Sequence, residues 1–315
     1  MHLKQIKIGK LHTKNNVFLA PLAGYTNAVF RQTCYDAGAG LTFTEMISAK
    51  GLCYNSQNTR DMLIITPEYS GIKAVQLFGA DPYFIEKAAC GQDIAPFDLI
   101  DINMGCPMPK IYNNGEGSAL LNDMPLASKI IKACKKSGKA VSVKFRIGVN
   151  SSSIVTTEFA KMCQDSGADM ICIHGRTKSK IYSGDVNFSE IEKAKNAVQI
   201  PVIANGGVFS LKDANELMDK TGADGIAVAR GAMYAPWIFG ELIENPLTNE
   251  QKKALVQKQI TQIRHYFGER FATVFMRKMI AFYIKGQFGA SALKEKLFKC
   301  NNTEEVEELL KSITF

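Results

Sequence analysis

The chain has 315 residues, 46% of them hydrophobic and 22% charged, with ten prolines spread thinly. This excludes global disorder and fibrous repeats, and the length suits one α/β barrel of roughly 250 residues with a small second domain. The net charge of +8 is compatible with a polyanionic partner but is common in ordinary enzymes, so it decides nothing alone.

In chain order, the opening segment carries Lys4 and Lys7 and lacks the apolar core of a signal peptide. No later stretch runs about 18 apolar residues without a charge, so a cytoplasmic protein that does not enter a membrane is expected. Ile6, Ile8 and Leu11 predict a small hairpin covering a barrel floor. Eight short runs rich in Val, Ile and Phe follow, each separated by room for a helix: Val17–Ala20, Leu41–Met46, Ala74–Phe78, Leu99–Asn103, Val141–Phe145, Met170–His174, Pro201–Asn205 and Gly225–Ala229. Near-continuous apolar character marks parallel strands buried on both faces, and eight βα units close a (β/α)8 TIM barrel.

The punctuation agrees. Asp81-Pro82 and Ser210 with Asp213 predict helix starts, and the triplets opening at Gly38, Gly167 and Gly222 each end a helix ahead of a strand. Lys129, Lys132, Lys136 and Lys139 lie opposite Ile130, Ile131 and Cys134 as a solvated helix face. After Trp237 the β-type runs stop, and helical periodicity appears over Leu255–Phe267, Phe275–Ile284 and Val306–Ile313. A boundary near Asn245-Pro246 divides a barrel over 1–245 from a small all-helical C-terminal domain over 246–315. That tail holds twelve Lys/Arg against seven acids, leaving only +3 for the rest, the distribution expected of a nucleic-acid surface or of a solvated bundle.

Eight cysteines at irregular spacings, with no Cys-x-x-Cys pair, argue against a zinc site and a disulfide framework, so no metal is expected. In a barrel of this kind, chemistry sits at the carboxyl ends of the strands. There the sequence delivers Pro21-Leu22-Ala23-Gly24, Glu45, Gln76, Asn103 with Cys106, Lys144 with Arg146, His174-Gly175-Arg176, Asn205-Gly206-Gly207 and Ala229-Arg230. The glycines beside Asn205 and Arg230 suit a phosphate cradled by backbone N–H groups, and a turn alone would not require the arginine. Gln76, Asn103 and Lys144 then surround a planar heterocycle, and flavin mononucleotide fits both demands. Neither a Rossmann nor a P-loop glycine string is present. Cys106 sits three residues after Asn103 in a loop stiffened by Pro107 and Pro109, where a thiol can donate a proton or act as a nucleophile. The other seven cysteines read as small hydrophobes. His174 reads as a donor to the heterocycle or its phosphate.

The chain resembles the tRNA-dihydrouridine synthases, especially the bacterial B group, from about Val17 to the C-terminus. The likeness rests on Ala20-Pro21-Leu22-Ala23-Gly24, Val75-Gln76-Leu77-Phe78-Gly79, Val143-Lys144-Phe145-Arg146, His174-Gly175-Arg176-Thr177 and Pro201-Val202-Ile203-Ala204-Asn205-Gly206-Gly207. Its most specific part is Asn103-Met104-Gly105-Cys106-Pro107 with Lys110 and Gly117-Ser118-Ala119-Leu120-Leu121. The resemblance implies an FMN enzyme that uses NADPH, or NADH, to reduce a uridine of tRNA to 5,6-dihydrouridine. Hydride passes from flavin N5 to uracil C6, and Cys106 protonates C5. It implies FMN contacts from Pro21, Leu22, Ala23, Gln76, Asn103, Lys144, His174, Asn205, Gly206, Gly207, Ala229 and Arg230. Lys110, Arg176, Arg277, Lys278 and Lys285 are expected to meet RNA, the last three in a helical tRNA-binding domain. Met279 and Phe282 stand where the B group commonly has His and Trp. A monomer is expected. The rival readings are an FMN barrel oxidoreductase acting on a small free substrate, dihydroorotate-dehydrogenase-like, and a non-catalytic RNA-binding protein that keeps the barrel as a scaffold.

Overall fold

A computed structural model describes residues 2–54 and 56–315. The hairpin pairs β1 (Lys7–Ile8) with β2 (Leu11–His12) in antiparallel register. Eight parallel strands form a closed barrel: β3 (Val17–Leu19), β4 (Leu41–Ser48), β5 (Lys73–Phe78), β6 (Leu99–Met104), β7 (Ala140–Arg146), β8 (Met170–His174), β9 (Val202–Asn205) and β10 (Gly225–Val228). Each strand neighbours the next in sequence, and β10 closes on β3.

Helices of the barrel shell are α1 (Ala28–Asp36), α2 (Ala49–Cys53), α3 (Gln57–Asp61), α4 (Pro82–Ala89), α5 (Pro109–Tyr112), α6 (Met124–Lys135), α7 (Thr156–Asp165), α8 (Phe188–Ala197), α9 (Leu211–Thr221), α10 (Arg230–Tyr234) and α11 (Ile238–Leu242). Their starts follow local chemistry. Asp81 accepts from the Tyr83 amide with Pro82 in the first turn of α4, and Ser210 accepts from Asp213 N at the head of α9. Gly38, Gly167 and Gly222, each just past a helix, take left-handed φ of 118°, 95° and 61°.

Two apolar cores explain the strand pattern. One lies between strands and helices and holds Val75, Ile100, Ile102, Val141, Val143 and Phe145. The other fills the lower barrel with Phe18, Leu41, Phe43, Ala74, Leu99, Met170 and Ile203, sealed from below by Ile6 and Ile8 of the hairpin. Strand side chains alternate between these cores, so inward positions run from apolar at the floor to polar at the mouth. Asp101 and Asn103 follow Leu99 on β6, and Gln76 follows Ala74 on β5.

Beyond residue 246 lie α12 (Asn249–Phe267), α13 (Glu269–Tyr283), α14 (Ala290–Lys299) and α15 (Thr303–Lys311). A capping box of Thr248 and Gln251 starts α12. The tail packs α12 on α1 and α13 on α10, and its buried Val256, Ile260, Met276 and Ile280 continue the outer core without a break. Among the described residues no helix is long and apolar enough to cross a membrane.

Candidate active site

Cys106 stands in the loop after β6, half-buried, and its position is fixed from several sides. The Asn103 side-chain carbonyl accepts from the Gly105 and Cys106 amides at 3.2 and 2.9 Å. Arg146 Nε donates to the Gly105 carbonyl at 2.9 Å, and its Nη1 reaches the Thr177 and Ile181 carbonyls. Ser118 donates to the Cys106 carbonyl from both Oγ and backbone N, at 2.8 and 3.1 Å. Gly105 lies flat on β7, where a Cβ would approach Phe145 Cα to 3.3 Å. Burial raises the Cys106 thiol above its ordinary pKa, with Arg146 and Lys144 pulling against it. The group is therefore a protonated thiol at neutral pH, with two cations near enough to favour the thiolate once the proton leaves.

Gly117 makes this pedestal possible. Its φ is 61°, and a Cβ would lie 2.9 Å from the Cys106 carbonyl oxygen and 3.0 Å from Cys106 Cβ. Gly117→Ala is expected to cost about 1–3 kcal/mol of stability through strain and the forced shift. It should also speed alkylation of Cys106 as the loop loosens. An unchanged melting temperature together with an unchanged alkylation rate would contradict this account of the loop.

Across the mouth, His174, Arg176, Asn205, Gly206, Gly207 and Arg230 line one cavity, with Tyr182 and Phe209 on its rim. Gly206 and Gly207 have φ of 128° and 76°, conformations that suit residues without a Cβ. Burial and the charges of Arg146, Lys144, Arg176 and Arg230 hold His174 well below the ordinary imidazole pKa, so it is neutral. His174 Nε2 and Arg176 Nη1 are buried without hydrogen-bond partners. Each such orphan costs about 1–3 kcal/mol. Among the described residues no carboxylate forms an ion pair with Arg176 or Arg230, although the charge of Asp185 acts on Arg176 and that of Asp101 on Lys144. A phosphate-sized anion would accept from Arg176 Nη1 and, in the tautomer with hydrogen on Nε2, from His174.

Gln76 on β5, Asn103 on β6 and Lys144 on β7 stand on neighbouring strands of the barrel. Lys144 Nζ donates to Asn205 Oδ1 at 3.0 Å, while Asn205 Nδ2 donates to the Ala227 carbonyl at 2.7 Å. Above β3, Pro21, Leu22 and Ala23 form the neighbouring edge, and Ala229 opens the turn into α10. Gly24 N donates to Glu45 at 2.6 Å, and the Gly24 carbonyl accepts from Lys278 at 3.2 Å. A shift in register on β4 between Phe43 and Met46 lies just before this carboxylate's neighbour at the mouth.

Residues expected to meet RNA divide. Lys110 is exposed on α5, close in sequence to Cys106. Lys278 lies over the Tyr25 ring at 4.2 Å, and Lys285 over Tyr234 at 4.5 Å, both at the seam between barrel and tail. Arg277 instead donates to the Phe298 and Cys300 carbonyls at the end of α14. Arg176 is buried in the cavity lined by His174 and Arg230 and donates to the Gly184 carbonyl. Met279 is fully buried in the tail, whereas Phe282 is half-buried between Tyr25 and Tyr234.

Arg146 and Asp101 belong to the site although neither is among the residues that the sequence marks for cofactor, catalysis or RNA. Both follow from alternation: Arg146 is the next inward position after Lys144, and Asp101 is the one before Asn103. Lys139, assigned to the solvated face, spends its ammonium on the Ala95 and Phe97 carbonyls. Among the described residues no group of three His, Cys, Asp or Glu side chains could hold a metal ion.

Comparison with known proteins gives these residues a family. Residues 18–315 match the dihydrouridine synthase (Dus) family. A probable tRNA-dihydrouridine synthase 1 of Synechocystis is 36% identical over 98% of this chain and 88% of its own length. A tRNA-dihydrouridine synthase B of Vibrio parahaemolyticus is 34% identical over 92% of each chain. An old yellow enzyme homologue from Zymomonas mobilis shares the fold, with a TM-score of 0.56 at 16% identity over 78% of this chain and 93% of that one. With a match that takes in the barrel, the Cys106 loop and the helical tail alike, the chain belongs to the dihydrouridine synthase family.

Proposed function

We propose that the protein reduces a uridine of tRNA to 5,6-dihydrouridine, with FMN bound in the barrel mouth and NADPH as reductant. The observation that carries this reading is the Cys106 thiol, kept protonated by burial and held at the same mouth as an anion cavity with two orphaned buried polar atoms. The orphans on His174 and Arg176, with Arg230 and the glycines at 206 and 207, fit the FMN phosphate. Gln76, Asn103 and Lys144 would hydrogen-bond the edge of its flat ring system. When bound, the flavin supplies the hydride that goes to C6 of the uracil.

The chain's own part is the proton. Cys106 Sγ gives it to C5, and Arg146 and Lys144 stabilise the thiolate until solvent restores the proton. A uracil inside a folded RNA must leave its stack to reach this mouth. Residues 1–245 are then the catalytic unit, and 246–315 the part that holds RNA, with Lys278 and Lys285 at the seam and Lys110 exposed on α5, four residues after Cys106. Incubation of unmodified tRNA with the protein, FMN and NADPH should add two hydrogens to one uridine, read by nucleoside mass spectrometry. No such product would remove the proposal. Binding of tRNA should weaken with salt at a log–log slope of about −2 to −3 if three ammonium groups meet phosphates. A flat slope would favour a small free substrate instead.

A further inference from the structure

The geometry points to Asp101 as a positioning residue that sets the direction of a buried amide chain ending on the Cys106 loop. The inference rests on the role just proposed for Cys106. Asp101 Oδ2 accepts from Gln76 Nε2 at 2.6 Å, and Gln76 Oε1 accepts from Asn103 Nδ2 at 2.9 Å. Asn103 Oδ1 then accepts from the amides of Gly105 and Cys106.

Each side-chain amide has one donor end and one acceptor end, so the chain has two possible directions. Its outer end is fixed, because backbone N–H groups only donate. Its inner end is fixed only while position 101 accepts, which an ionised carboxylate always does. Ser142 Oγ donates to the other oxygen, Oδ1, at 2.6 Å, holding the carboxylate in plane. The direction matters twice over: reversal would turn an Asn103 N–H2 against two loop N–H groups, and it would swap the groups Gln76 shows to the mouth.

The surroundings leave Asp101 poised. It is fully buried, which raises its pKa to about 6, while Ser142, Gln76 and Lys144 on β7 act to lower it. Cys134 on α6 and Cys172 on β8 are the other titratable groups that feel its charge, and both thiols are pushed up by burial and stay neutral. Protonated Asp101 can donate and releases the constraint, so the Cys106 loop should loosen as pH falls through that region.

The test uses the flavin-loaded full-length protein. Asp101→Asn keeps shape but leaves the direction held at the outer end alone, since its amide can turn either end toward Gln76. Turnover should fall about tenfold, less than the hundredfold that a misplacement of about 1 Å can cost. Alkylation of Cys106 by iodoacetamide, followed on its own peptide by mass spectrometry, should accelerate about threefold or more as the loop opens. Wild-type turnover is expected to decline below about pH 6 as Asp101 protonates, and that acid limb should flatten in the variant. Wild-type turnover, alkylation rate and acid limb in Asp101→Asn would overturn the proposal. Should that variant fail to fold, Ser142→Ala frees the same carboxylate to rotate, and unchanged alkylation and turnover there would overturn it equally. Alkylation needs no RNA, so an inactive wild-type protein would count against the dihydrouridine reading and leave this one standing on its own readout.

Discussion

Cys106→Ala is expected to keep its bound flavin and to lose dihydrouridine formation by about 10²–10⁴-fold, the usual contribution of a positioned general acid. The retained flavin follows from geometry. The loop is held through the backbone of Gly105 and Cys106 and through Ser118, none of which needs the thiol. Reduction of the flavin by NADPH should likewise proceed at a near wild-type rate, which places the lesion in the RNA half-reaction. Rapid mixing followed in the flavin absorbance band separates the two halves. A variant that forms product at an undiminished rate would remove Cys106 as the acid. Cys106→Ser keeps a donor of much higher pKa and should recover little of the loss. The raised thiol pKa adds a pH signature on the alkaline side: the acid form persists above neutrality, so turnover should hold through neutral pH and fall in alkali as the thiol ionises.

The barrel was legible because its strands are buried on both faces. Met170–His174 matches its predicted bounds, six strands differ by one or two residues at one end, and Ala140–Arg146 extends one residue beyond its predicted span at each end. Glycine and capping signals located the helix ends for the same local reasons. By contrast, α14 left little trace, since only Leu297 of its ten residues is buried and the helix lies between Gly289 and Cys300. The site was legible where a residue type declares its chemistry, as with Cys106, and obscure where placement decides. Arg277 and Lys278 read as one basic pair, but neighbours on a helix point about 100° apart. One consequently turns inward to the end of α14, and the other reaches Gly24 on the barrel. Arg176 is expected from the resemblance to meet RNA, and its place two residues past His174 puts it in the lining of the cavity with His174 and Arg230. Asp101 was silent because a lone acid inside an apolar run has no local signal; its meaning lies in Gln76 and Asn103, which are brought to it by closure of the barrel.

Arg230→Met should weaken binding of FMN by about tenfold to a hundredfold, the loss expected when one charged partner of a phosphate is removed. Methionine keeps apolar contact with the rings of Tyr182 and Phe209, over which the guanidinium now lies at 4.8 and 5.6 Å. The fold around β10 should therefore survive, and the change in melting temperature without flavin should be small. Riboflavin provides the internal control, since it offers the same ring system without the phosphate. Fluorescence titration of flavin-free protein should show wild type and Arg230→Met binding riboflavin alike, with the difference confined to FMN. Removing Arg230 also lifts one of the four positive charges that depress the neighbouring imidazole, so His174 should titrate closer to its ordinary range in the variant. Equal losses for FMN and riboflavin would mean that Arg230 supports the ring or the fold and not the phosphate. No loss for either would empty the cavity of the role given to it, and with it the explanation for the unpaired nitrogens of His174 and Arg176.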